Sequence, residues 1–191
     1  MLNKLKVFTV FAFLILFSFG CETNYVPKPI GYFRIGLPKK VYVKKEFDCP
    51  FAFETPTYSN LEIKKNGDHS CWFVVNYAPF NAKLFVTYRA VDNNLGKLIE
   101  ENHQLTFEHQ IKANSIEPTI LRRDSAKVYG LLYDVSGEVA SALQFYVTDS
   151  TKNFLRGSLY FDVAPNQDSL APVVVFLRED VLHLINTMEW R

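Results

Sequence analysis

After a short basic start carrying Lys4 and Lys6, the chain runs through thirteen mostly apolar residues, Val7 to Phe19. A helix that crosses a bilayer needs about 20 such residues, so this run reads as the apolar core of an export signal rather than a permanent span. Alternate prolines at Pro27 and Pro29 then favour an extended spacer. From residue 31 the apolar positions become strand-like: Tyr32 to Ile35, Tyr42-Val43, Phe51 to Phe53, Cys71 to Tyr77 and Lys83 to Val91. Asp92 and Asn93 offer N-caps for a helix reaching about Ala113, since Leu95, Leu98, Ile99, Asn102, Leu105, Thr106 and His109 recur at helical spacing. Three strands follow, Ala126 to Val135, Ser141 to Thr148 and Phe154 to Val163, joined by short polar turns as a meander. A closing helix begins near Asp168 or Ser169 with Pro172 in its first turn, and Val173, Leu177, Val181, Leu184, Ile185 and Met188 form its apolar stripe.

Strands, a long middle helix, a meander and a C-terminal helix predict an α+β fold, an antiparallel sheet with both helices packed on it. The order is also similar to the PsbP/Mog1-type α/β/α sandwich, a likeness of pattern that does not fix function. The organisation expected is a signal peptide over residues 1–20, a tether over 21–30 and a single α+β domain over 31–191.

Cys21 gives the start of the chain its meaning. The junction Gly20-Cys21 resembles the lipoprotein signal that is cleaved before a cysteine whose thiol then takes a diacylglyceryl group. It departs from that pattern at Ser18, where a leucine is usual. Two or more acyl chains anchor a protein far more firmly than one, so the mature chain is expected to be anchored through Cys21 without spanning the membrane. At about 3.1 Å per residue, the spacer would lift the fold roughly 20–25 Å from the lipid.

Loss of residues 1–20 leaves 171 residues, with 19 basic and 20 acidic side chains. That balance has no electrostatic footprint for nucleic acid, and the basic pairs are scattered along the chain. Cys49 and Cys71 remain after Cys21 is spent on lipid, and export favours a bridge between them over two buried thiols. The flanking runs, Phe47 to Phe53 and Trp72 to Tyr77, would pair as a hairpin.

Motifs for catalysis are lacking: the sequence has no G-x-S-x-G, S-x-x-K, H-E-x-x-H, P-loop or G-x-G. Glu100-x-x-His103 has a metal-like i, i+3 spacing, but such sites draw further ligands from other helices, and no second copy exists here. No metal, cofactor or catalytic residue is therefore expected. His109 falls on the core stripe, where a histidine satisfied by a neighbour such as Asn102 is the ordinary arrangement. Phe107 and Ile111 lie roughly opposite that stripe.

The segment Thr148 to Phe161, followed by Pro165 to Ser169, joins two Asp-Ser turns through a strand that carries Arg156. Asp149, Ser150, Phe154, Arg156, Asn166 and Asp168 form a candidate interaction or structural cluster. A buried arginine needs a carboxylate, which Asp149, Asp162 or Asp168 would supply. This segment resembles the GldD family of gliding-motility lipoproteins from Bacteroidota. So do Ala140-Ser141, Gln144-Phe145, Pro172-Val173, Asp180, Pro27-Lys-Pro29, Gly31 to Ile35, Cys71-Trp72, Lys127 to Gly130 and Tyr133-Asp134.

That resemblance implies a non-enzymatic component of the cell envelope, lipid-anchored and facing the periplasm, whose partners are other gliding-motility and type IX secretion proteins. It does not say which membrane holds the anchor. A second reading is a ligand-binding lipoprotein that holds an anionic lipid or sugar near Arg156, and a third is a hydrolase acting on envelope material. Ser125, Ser150 and Ser169 also resemble the Asp-Ser/Thr-apolar O-glycosylation sites of Bacteroidota.

Overall fold

Alternating apolar residues between Val128 and Leu159 give a sheet two sticky faces, and in the computed structural model one is covered along its length and the other in part. The structure describes residues 35–46, 48–66, 70–108, 112–164 and 166–191. Strands β1 (Tyr42–Glu46), β2 (Phe51–Pro56), β3 (Asn60–Asn66), β4 (Ser70–Tyr77) and β5 (Ala82–Ala90) precede helix α1 (Leu95–Phe107). Strands β6 (Ala113–Arg123), β7 (Val128–Gly137), β8 (Ser141–Thr148) and β9 (Asn153–Phe161) follow, then helix α2 (Gln167–Thr187) and β10 (Glu189–Trp190). Seven strands form an antiparallel sheet in the order β3-β4-β5-β9-β8-β7-β6, and β1-β2-β10 form a three-stranded sheet.

On one face of the large sheet, Leu84, Val86, Leu132, Phe145, Leu155 and Leu159 pack against Val173, Leu177, Val181 and Leu184 of α2 and against Phe51 and Phe53 of β2. The opposite face is covered only in part, where Leu98 of α1 meets Tyr133, Val135, Tyr146 and Phe154. Each fully buried Leu or Phe contributes roughly 1.5–3 kcal/mol, so the larger α2-side core dominates stability. The mixed α+β class and the packing of both helices agree with the sequence pattern. The α2 stripe is buried from Val173 to Met188 as its spacing predicts.

Several expectations fail for physical reasons. The runs around Cys49 and Cys71 do not pair as a hairpin: β2 lies between β1 and β10, whereas β4 lies between β3 and β5. The disulfide between Cys49 and Cys71, with Cα atoms 6.0 Å apart, therefore joins two sheets. The meander has four strands rather than three, because β6 precedes β7 over a stretch to which the sequence pattern assigns no element. Helix α1 ends at Phe107, and Ala113 starts β6 instead of ending the helix. Its N-cap is Asn94, one residue beyond the expected pair, because Asn93 takes a left-handed φ of 52°. Pro172 sits in the second turn of α2, since Asn166 caps the helix by accepting from the Ser169 amide. Ile35 belongs to no strand, and Tyr32 to Arg34 lie outside the described residues.

Candidate functional site

Helix α1 shields the β7–β9 side of its sheet face and leaves part of β4, β5 and β9 open. Strand register places Trp72 opposite Thr87, Thr87 opposite Arg156, and Phe85 opposite Ser158. With Tyr160 these residues line a shallow depression of about 360 Å³. The rings of Phe85 and Tyr160 meet edge to face, 5.7 Å apart at 78°. Beneath the floor, Gly157 makes room for the Phe145 ring, which a Cβ at that position would strike.

Arg156 is half-buried in this depression, and burial drives its guanidinium below the usual arginine range. Tyr160 favours the charge, Arg89 opposes it, and Glu101 favours it more weakly. Glu101 is itself engaged, accepting from Arg89 Nη1 at 2.8 Å. Among the described residues no carboxylate forms an ion pair with Arg156, and each expected partner is either occupied or placed elsewhere. Asp149 accepts from the backbone amides of Thr151, Lys152 and Asn153 at 2.8–2.9 Å and from Asn153 Nδ2 at 2.7 Å. Asp162 pairs with Lys83. Asp168 stands in the first turn of α2, beyond the far end of β9.

The six residues grouped from the sequence are thus not one constellation. Asp149 and Ser150 form the β8–β9 turn, where Ser150 has a left-handed φ of 66°. Burial raises the Asp149 pKa, but four hydrogen bonds outweigh it and bring the value down to about 2. Phe154 is buried and stacked on Tyr146 with centroids 5.5 Å apart. Asn166 and Asp168 serve the start of α2 at the opposite end of β9. Ser125, Ser150 and Ser169 are all exposed. Cys21 lies outside the described residues.

A second polar centre escaped the sequence reading. Asp180 is buried on the inner side of α2, where Tyr42 donates to Oδ1 at 2.8 Å and Tyr58 donates to Oδ2. Lys40 Nζ lies 3.0 Å from Oδ1 and also donates to the Phe176 carbonyl at 2.7 Å. Tyr42 stacks on His183 at 3.5 Å, and His183 Nε2 is 2.7 Å from Glu54. This hub clamps the chain preceding β1 onto α2. The available signal was a carboxylate three residues after Leu177 and four before Leu184, inside an apolar stripe.

A family model, gliding motility lipoprotein GldD, matches residues 22–190 and so spans both the Arg156 face and the Asp180 hub. The chain belongs to the GldD family. Membership assigns it to gliding motility, and the lipoprotein character of the family implies a membrane-anchored location in the cell envelope. No curated protein matches the chain. Among the described residues, no helix is long and apolar enough to cross a membrane.

On α1, Glu100 accepts from Gln104 at 3.1 Å, and the His103 ring lies 4.2 Å from that of Phe107. Phe107 packs against the α1-side core. His109 and Ile111 lie outside the described residues. Asn102, Thr106 and Gln144 are buried together, with Thr106 donating to the Asn102 carbonyl at 2.9 Å and to Gln144 Oε1 at 3.2 Å.

Proposed function

We propose that this protein is a non-enzymatic interaction platform of the gliding machinery, associated with type IX secretion and held at the periplasmic face of a membrane by lipid on Cys21. The family match over residues 22–190 carries this reading. It is supported by the signal-like start at residues 1–20, the Pro27-Lys-Pro29 spacer over the proposed tether, and the missing motifs of hydrolases and transferases. The Asp180 hub adds mechanical sense, since Lys40 and Tyr42 fasten the stretch following the spacer to helix α2. The PsbP/Mog1-type likeness belongs to the same proposal, supported by the meander followed by α2.

The test is genetic and physical. Deleting the gene in a gliding host should abolish spreading, the intact gene should restore it, and Cys21→Ala should fail to do so. Crosslinking the lipidated protein in native membranes should recover motility or secretion components. Normal spreading in the deletion strain, or full rescue by Cys21→Ala, refutes the proposal.

A further inference from the structure

The open sheet face presents an arginine that, among the described residues, has no ion-pair partner, ringed by aromatic and hydroxyl side chains. A guanidinium loses hydration when it is sunk among Trp72, Phe85 and Tyr160, and its planar fork of donors matches a carboxylate two bonds at a time. The rings supply flat apolar surfaces beside it. Thr87 and Ser158, which neighbour Arg156 and Phe85 across the strands, add hydroxyls that both donate and accept.

Size selects the class of ligand. A depression of about 360 Å³ lies at the lower end of the roughly 300–1,000 Å³ typical of small-molecule pockets. Six lining side chains fall well short of the roughly 20–30 residues a side of a standard protein interface. A neutral ligand would leave the guanidinium uncompensated, and a bare inorganic anion would leave the rings unused.

We infer that this face is a binding site for an acidic sugar, with Arg156 holding the carboxylate, the aromatic side chains flanking the ring, and Thr87 and Ser158 meeting its hydroxyls. The inference goes beyond the platform role, and either can fail without the other because spreading and sugar binding are read separately. Its plain alternative is an arginine whose stem merely covers the sheet while its head is solvated.

The experiment is calorimetric titration of the intact protein in detergent with digalacturonate, its neutral counterpart galactobiose, and inorganic phosphate. Saturable binding of digalacturonate is expected, with galactobiose weaker by about tenfold or more. Arg156→Gln should weaken digalacturonate binding by at least about tenfold, and Arg156→Lys by less because the fork is lost while the charge is kept. Thr87→Glu places an opposing charge directly across the strands from Arg156, and it should weaken binding too. Melting curves of each variant guard against misfolding. The inference is overturned by absent saturation, by equal affinity for galactobiose or phosphate, or by binding that survives both Arg156→Gln and Thr87→Glu. It is also overturned if a photocrosslinker at Phe85 captures a protein in cells while no sugar binds.

Discussion

Tyr42 and Asp180, 138 residues apart in the chain, are joined by a hydrogen bond of 2.8 Å from phenol to carboxylate. Tyr58 and Lys40 complete the set, and the carboxylate has no solvent exposure. Removing one partner of a buried charge pair strands the others, at a cost of roughly 3–5 kcal/mol. Asp180→Ala should lower stability by about that amount in urea unfolding, and Asp180→Asn by less, since the amide oxygen still accepts. An unchanged midpoint for Asp180→Ala would remove the hub from any account of stability.

The same hub sets an alkaline limit. Burial, and then the hydrogen bond to Asp180, raise the pKa of Tyr42 and Tyr58 above the usual tyrosine range, while burial and the charge of Asp180 do so for Tyr77. The unfolded chain ionises these phenols near pH 10, whereas the folded chain keeps its protons. The stabilisation is therefore complete below about pH 10 and is lost as pH rises towards the folded values. Thermal midpoints should fall above about pH 10, and Tyr58→Phe should fall less steeply over the same range.

Asp149 sets a limit of the opposite sign. Its pKa of about 2 in the fold lies below that of an unfolded aspartate, so its contribution is present above about pH 4 and fades as pH falls towards 2. Asp149→Ala should cost about 1 kcal/mol at neutral pH, the usual worth of such a side-chain-to-backbone cap. The variant should also lose less stability than the parent between about pH 4 and 2, as read by urea titration.

The bridge between Cys49 and Cys71 closes a loop with a sequence separation of 22 and links the small sheet to the large one. A loop of this length is worth roughly 3 kcal/mol in the chain-entropy model. Replacing both cysteines by serine should lower the melting temperature, and reduction of the parent should lower it similarly. A double variant as stable as the parent would show that packing of Phe53 against Phe73, 5.2 Å apart, suffices to hold the sheets together.

Much of the framework was legible because periodicity is a direct imprint of burial. In β7 to β9 and α2 the apolar residues recur every second or every third and fourth position, so their existence and inner faces could be read. Strand β6 was not legible, since Glu117, Pro118, Arg122 and an exposed Ile120 leave a sheet-edge strand with Leu121 as its one buried residue. Pairing was equally hidden, because alternation says which side a residue faces but not which strand lies alongside, and so β2 was joined to the wrong partner. The site failed for a different reason. Asp149 satisfies itself with amides two to four residues away, and that local turn chemistry outcompetes the long-range pair that Arg156 was expected to make.

Strand β2 is flanked by β1 from near the start of the fold and by β10 at its very end, and the Arg191 amide donates to the Pro50 carbonyl at 2.8 Å. A polypeptide that emerges amino end first cannot finish this small sheet until Glu189 and Trp190 are released, so β2 gains its second neighbour only after every strand of the large sheet has emerged. Any truncation that removes Glu189 to Arg191 should thus loosen β1 and β2, the first strands to follow the proposed tether in the chain.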